Sequence, residues 1–319
     1  MDAWTRWVRQ PQGLWLRKAF FQVHLWVGIA LGLYVLVICL SGSVLVYRNE
    51  LYGRFAPTPM LVVPSGARLS EEALIAAARR AHSGFEVADV FAGQKSNEAV
   101  EIRLQQGNER RARFFDPYTG HDLGNAVPAG FRATAWLLNL HDNLLSGETG
   151  RRLNGVAALF VLLLAATGAV VWWPGVKHWR RSLTITFTRR QRVTWRLHSA
   201  LGFWFLGFVV MWGISGLYLS IPQPFSSAVE SLEPYDRTYR AAEKLLYWIG
   251  YSHFGRFAGR IPGCGPACGA TLKAVWALFG IVPVVLFVTG VLVWWNRVLR
   301  PRSWWSVRCG GTPSVETRH

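Results

Sequence analysis

HLWVGIALGLYVLVICLSGSVLVY, residues 24–47, holds no Asp, Glu, Lys or Arg, and with the preceding AFFQV it forms an uncharged run over residues 19–47. At helical rise, a hydrocarbon core of about 30 Å needs about 20 residues, so this run is long enough to cross a bilayer. It is longer than a signal-peptide apolar region, and Tyr47-Arg48-Asn49 follows in place of a small-residue cleavage site, so it is expected to stay attached. Three more uncharged runs, 153–176, 197–222 and 274–296, are of similar length. Soluble helices that long carry charge on their wet face, so the pattern predicts four transmembrane helices.

The four runs form an internal repeat. The first opens on His24, with Gly28 four residues on and Ser41-Gly42 closing it; the third opens on His198, with Gly202 four residues on and Ser215-Gly216 at the same spacing. In the second, Thr167-Gly168 precedes Trp172-Trp173, and in the fourth Thr289-Gly290 precedes Trp294-Trp295. One histidine stands ahead of each of these two runs: His141 in LHDNLLSGETG, 27 residues before Gly168, and His253 in IGYSHFGRFAG, 37 residues before Gly290. The extra ten residues cover GCGPACG, an insertion. Two units of equal orientation imply a pseudo-twofold axis along the membrane normal. That axis sets His24 opposite His198 on one side of the membrane and His141 opposite His253 on the other.

Charge fixes the expected sidedness. Arg6, Arg9, Arg17 and Lys18 precede the first run, Lys177, Arg180, Arg181, Arg189, Arg190, Arg192 and Arg196 fill residues 177–196, and five arginines follow residue 296, whereas residues 48–152 hold 13 basic and 12 acidic residues. Basic loops stay in the cytoplasm. Both termini (1–18 and 297–319) and the loop 177–196 are therefore expected inside a bacterial inner membrane. The stretches 48–133, 134–152 and 223–273, the last with His253, are expected in the periplasm. This asymmetry accounts for most of the net charge of +17, so no nucleic-acid partner is needed to explain it. Cys264 and Cys268 fall on the oxidising side, where a small disulfide is favoured over a two-sulfur metal site.

Within 48–133, LSEEALIAAARRAH places Ser70 as a helix cap ahead of Glu71 and Glu72. VADVFAG, AVEIRLQQ and ARFFDPYTGHDL alternate apolar with polar residues, and Asp116-Pro117 with Thr119-Gly120 supplies a turn. A helix on a small antiparallel sheet is expected, resembling a PepSY module whose last strand runs into a DPxTG turn. His82 and His121 are read as surface histidines of this domain.

Paired imidazoles on facing helices suit haem iron, and a haem with both axial places filled carries electrons instead of binding oxygen. Gly28, Gly32, Ala200 and Gly202 would let a flat macrocycle approach; Arg192 and Arg196 on one side, and Arg151, Arg152 and Arg256 on the other, are candidates for its propionates. His178 lacks a repeat counterpart and is left out. A non-haem metal at two histidines would want further ligands that do not recur in both copies. Trp204, Phe205, Phe208 and Trp212 lie between the two histidine levels and are expected to pack or face lipid.

HLWVGIALGLYVLVICLSGSVLVY, LHDNLLSGETGRRLNG, ATGAVVWWPG, RLHSALGFWFLGF and VTGVLVWW, spread over almost the entire chain, resemble the PepSY-associated transmembrane family. That resemblance implies an all-α membrane protein of two parallel two-helix repeats with a small α+β PepSY-like domain between the first two helices. The family includes inner-membrane proteins of iron uptake, among them di-haem reductases of ferric siderophores. Carried over, it implies two b-type haems, one on His24 and His198 and one on His141 and His253, with a ferric siderophore as substrate. No strand, GxGxxG turn and helix follow one another, so the electrons must come from a donor outside the chain. Two other expectations compete: a haem-free siderophore permease, and a membrane-anchored PepSY protein that binds a peptidase.

Overall fold

The computed structural model describes residues 3–9, 11–174, 179, 190–232 and 241–296. It divides into two compact units, residues 1–46 with 138–319, and residues 47–137. In chain order its helices are α1 (Ala3–Arg9), α2 (Trp15–Ala30), α3 (Gly32–Leu45), α4 (Arg48–Arg54), α5 (Glu71–Ala81), α6 (Ala129–Asn143), α7 (Gly147–Trp172), α8 (Arg190–Trp204), α9 (Leu206–Ser220), α10 (Gln223–Leu232), α11 (Ala241–His253) and α12 (Pro266–Trp294). Lys177, His178 and the tail 297–319 lie outside the described residues, as does the side chain of Arg192.

In the helical unit, α7 and α12 are each long and apolar enough to cross a membrane, and α2 with α3 and α8 with α9 pass the same criterion as bent pairs. The runs 19–47 and 197–222, each expected as one transmembrane helix, are each two helices meeting at a bend. The bends measure 61° and 60°, with breaks at Leu31 and Phe205. Leu31 follows His24 by seven residues and Phe205 follows His198 by seven, so the breaks occupy one repeat position. Neither break contains proline; each sits between glycines, Gly28 and Gly32 or Gly202 and Gly207, where the backbone gives most readily. The bend lets each broken helix serve two partners. Helix α2 packs on α7 and α3 on α12, while α8 packs on α12 and α9 on α7. Gly32 permits one of these contacts, since a Cβ there would lie 1.9 Å from the Phe287 ring.

The described residues of 223–273, a segment expected as a periplasmic loop, are largely helical. They form α10, α11, a 3-10 turn over Phe257–Arg260 and the first residues of α12. Cys264 and Cys268 are disulfide-bonded, closing the turn into α12.

In the second unit, α5 lies against an antiparallel sheet of order β1-β2-β3-β4, with β1 (Glu86–Phe91), β2 (Val100–Gln106), β3 (Glu109–Phe115) and β4 (Asp122–Asn125). Ser70 caps α5, its hydroxyl accepting from the Ala73 N–H at 3.3 Å. Within ARFFDPYTGHDL, β3 and β4 flank the expected turn. Asp116 accepts the N–H groups of Tyr118 and Thr119 at 2.8 and 3.3 Å, and Gly120 at φ 70° completes the reversal from β3 to β4. Leu74, Ala78, Phe85, Val100, Ile102, Leu104 and Phe115 form the core, the larger of them contributing about 2 kcal/mol each. His121 is exposed as expected, but His82 is not a plain surface histidine. Its Nε2 lies 2.8 Å from Asp122, which also takes Arg113 at 2.6 Å.

Candidate functional site

The four repeat histidines come together as two pairs, both within the helical unit. His24 on α2 and His198 on α8 have ring centroids 6.3 Å apart, and His141 on α6 and His253 on α11 have ring centroids 6.2 Å apart.

Every Nδ1 is held by a descending or ascending neighbour. His24 Nδ1–H donates to the Leu164 carbonyl at 3.1 Å and to Thr167 Oγ1 at 3.2 Å; His198 Nδ1–H donates to the Leu286 carbonyl at 2.9 Å and to Thr289 Oγ1 at 3.1 Å. On the second level His141 Nδ1–H donates to the Ile38 carbonyl at 3.0 Å and to Ser41 Oγ at 3.1 Å, and His253 Nδ1–H donates to Ser215 Oγ at 2.9 Å. The tautomer follows from donor counting. Thr167, Thr289, Ser41 and Ser215 each spend their hydroxyl proton on a carbonyl four residues back, at 2.7 Å in every case, so each can only accept from imidazole. Nδ1 therefore carries the proton and Nε2 keeps its lone pair, the arrangement that orients a metal-binding histidine.

Glycines admit the rings. A Cβ on Gly168 would lie 3.1 Å from His24 Cε1, one on Gly290 3.3 Å from His198 Cε1, and one on Gly42 2.8 Å from His141 Cε1. The Thr-Gly and Ser-Gly pairs of the repeat thus do two jobs: the hydroxyl holds Nδ1 and the glycine makes room. Gly216 breaks the pattern, because its Cβ would meet only Ala158, at 3.9 Å.

Burial keeps the second pair neutral. It pushes His253 down to about 3, with the neighbouring His141 adding to the effect, and it pushes His141 down against the opposing Ile38 carbonyl. Neutral imidazoles are the form that binds metal. Metal–imidazole bonds of about 2.0 Å, with about 1.1 Å from each donor nitrogen to its ring centre, separate two rings about one ion by roughly 6.2 Å. Both pairs stand at that separation. Among the described residues no group of three or more His, Cys, Asp or Glu gathers, so each pair offers two protein ligands. A macrocyclic metal centre, which brings its own equatorial donors, is the group such a pair fits.

A family model described as the PepSY-associated TM region matches residues 21–237 and 227–297. The chain belongs to the PepSY-associated transmembrane family. A comparison with curated proteins found no match. In this PepSY-associated protein the conspicuous LHDNLLSGETGRRLNG text now has a structural account. It builds the end of α6 that carries His141. Asn154 on α7 donates to the carbonyls of His141 and Asp142 at 2.9 and 2.8 Å, capping that helix end. Gly150 lets the chain pass, since a Cβ there would lie 1.7 Å from the Asn143 carbonyl oxygen. Leu144 and Leu145 adopt positive φ, 50° and 59°, a conformation costing about 1–2 kcal/mol per residue that the surrounding contacts must hold.

Sequence spacing located the histidines but not Asn154, nor the anchoring role of Ser41, Ser215, Thr167 and Thr289. The signal was present in the repeated Ser-Gly and Thr-Gly pairs. Two arginines expected beside propionates are engaged elsewhere: Arg151 pairs with Asp142 at 2.6 Å and Arg152 with Glu148 at 3.2 Å. Phe208 packs against Trp212, Trp276 and Phe279, as expected of core aromatics.

Proposed function

We propose that each bent pair is one membrane span, so that the protein is a four-span, two-repeat electron-transfer protein of a bacterial inner membrane. It holds one b-type haem between His24 and His198 near the cytoplasmic side and another between His141 and His253 near the periplasmic side. The observation that carries this reading is the repetition of one ligand geometry at two levels: Nδ1 tethered, Nε2 available, rings 6.3 and 6.2 Å apart. A haem ligated by two imidazoles supplies reversible one-electron transfer with no open coordination place. The chain's part is to orient the imidazoles through the Thr and Ser hydroxyls, to keep them neutral, and to space the two levels along the membrane normal.

The substrate in this reading is a ferric siderophore at the periplasmic surface near α6 and α11, where Fe(III) accepts one electron to become Fe(II). Hard oxygen donors hold Fe(II) less well than Fe(III), so the iron is released. The electron enters from a cytoplasmic or membrane donor, and the basic residues flanking the spans set the sidedness.

The test is reduction across a sealed membrane. Full-length protein in proteoliposomes, with an electron donor enclosed and a ferric siderophore outside, should produce external ferrous iron, read with a chromophoric ferrous chelator. His141→Ala and His253→Ala should abolish it. Unchanged reduction in both variants would rule out the outer site, and uptake of the intact ferric chelate without reduction would favour a permease.

A further inference from the structure

Helix α11, which ends on His253, presents an aromatic face that the histidine pairs do not use. Tyr251 follows Trp248 by three residues and Tyr247 by four, so the three rings share one side of the helix. The Tyr247 and Tyr251 rings stack with centroids 5.5 Å apart, and Trp248 meets them edge-on at 5.7 and 5.5 Å. Arg260, at the end of the 3-10 turn, reaches back over all three. Its Cζ lies 5.7, 5.9 and 5.7 Å from the Tyr247, Trp248 and Tyr251 centroids, within the range of cation–π attraction, and its Nη2 donates to the Tyr247 hydroxyl at 2.6 Å. The Tyr251 hydroxyl donates to the Arg256 carbonyl, which fixes the inner ring. The group is open to a ligand, since Tyr247, Trp248 and Arg260 are all exposed.

Neither the repeat nor the membrane accounts for this group. Trp248 has a counterpart in Trp136, five residues before His141, as a ring at the membrane interface would in both repeats. Tyr247 and Tyr251 instead correspond to Ala135 and Asn139, and where Arg260 follows His253 by seven residues, the acid Glu148 follows His141. Residues 241–273 hold Lys244, Arg256, Arg260 and Lys273 against the single acid Glu243, although in the orientation proposed above they face the periplasm, where basic residues are not retained. A guanidinium laid on open rings suits a ligand that is both aromatic and anionic, with rings for its faces and a cation for its charge. Fe(III) wrapped by three catecholates is such a ligand, whereas three hydroxamates leave the complex neutral and without rings. Trp248 lies five residues ahead of His253, about 7.5 Å along the helix, so a chelate seated there stands close to the outer pair. We propose that Tyr247, Trp248, Tyr251 and Arg260 form a docking platform for an anionic aromatic iron chelate of the catecholate class. That the chelate is reduced there rests on the function proposed above; that it docks does not.

Gallium(III) has the charge of Fe(III) and nearly its size but is not reduced, so its chelates read docking apart from electron transfer. Full-length protein in phosphatidylcholine nanodiscs is titrated by calorimetry with the Ga(III) complex of a hexadentate tricatecholate and with that of a hexadentate trihydroxamate. The native chain should bind the tricatecholate about tenfold more tightly or better. Arg260→Gln and the double variant Tyr247→Leu, Trp248→Leu should each weaken tricatecholate binding about tenfold, the effect of losing a charge-assisted contact or a ring stack, and leave trihydroxamate binding unmoved. Arg260→Lys, which keeps the charge, should recover part of the loss. Equal binding of the two chelates, or folded variants with unchanged tricatecholate affinity, would overturn the platform. Variants that shed phospholipid in native mass spectrometry while keeping chelate affinity would overturn it too, marking the patch as a lipid anchor. A native chain that binds the Ga(III) tricatecholate as expected but does not reduce its Fe(III) counterpart would refute the proposed function and leave the platform standing.

Discussion

At the residue scale, the account turns on how little freedom the four imidazoles have. Each Nδ1 is tied to backbone or hydroxyl oxygen on a neighbouring helix, and three of the four rings lie against a glycine where a side chain would intrude. Gly42 and Gly216 hold the same repeat position but different surroundings, which gives a discriminating prediction. Gly42→Ala should push His141 aside, cost about 1–3 kcal/mol and halve the haem content, whereas Gly216→Ala should leave haem content unchanged; pyridine-haem assay and thermal melting read both. Asn154→Ala should release the end of α6 and destabilise by about 1–3 kcal/mol, with loss confined to the haem at His141 and His253. In the α+β unit, burial raises the Asp122 carboxyl, but hydrogen bonds from Arg113, the Gly124 N–H and His82 outweigh it and hold the group below the usual carboxylate range. The stability it contributes is complete above that range and is lost as pH falls through the folded value. Circular dichroism of the full chain should therefore show a melting temperature that drops on acidification below about pH 4, with a smaller drop in Asp122→Asn.

At the scale of elements, composition identified the long apolar helices and missed their shape. An uncharged run of 29 residues, 19–47, states that a span exists, but a bend depends on what the backbone packs against, and the partners of α2 and α3 lie more than a hundred residues away on α7 and α12. The glycines bracketing Leu31 and Phe205 were visible; their role was not, because glycine equally serves close packing. Helices α10 and α11 were hidden for another reason: short amphipathic stretches between spans carry the same residues as loops. Gly32 gives this scale its prediction. Gly32→Ala should lower the melting temperature in detergent by displacing the Phe287 ring, and Phe287→Leu should restore part of the loss, a coupling that independent sites would not show. Opening the disulfide with Cys264→Ser should cost about 2 kcal/mol or less, since the loop it closes is short.

For the whole molecule, the most informative feature of the sequence was the repeat. Equal spacings from His24 to Ser41-Gly42 and from His198 to Ser215-Gly216 implied two histidine pairs, and the structure brings the histidines together in those pairs. The exchange of helix partners, α2 and α3 with α7 and α12, α8 and α9 with α12 and α7, follows the same repeat. What a pair binds was not legible in the same way, because a histidine at a helix end serves an interface as readily as a metal; the tethered Nδ1 and available Nε2 narrow that choice. The most direct measurement is a reduced-minus-oxidised optical spectrum with pyridine-haem quantification on purified full-length protein and its His24, His141, His198 and His253 alanine variants. Two low-spin haems are expected, one lost with either His24 or His198 and the other with either His141 or His253. A native protein without haem, made under ample haem supply, or variants that lose haem in any other pairing, would contradict the account.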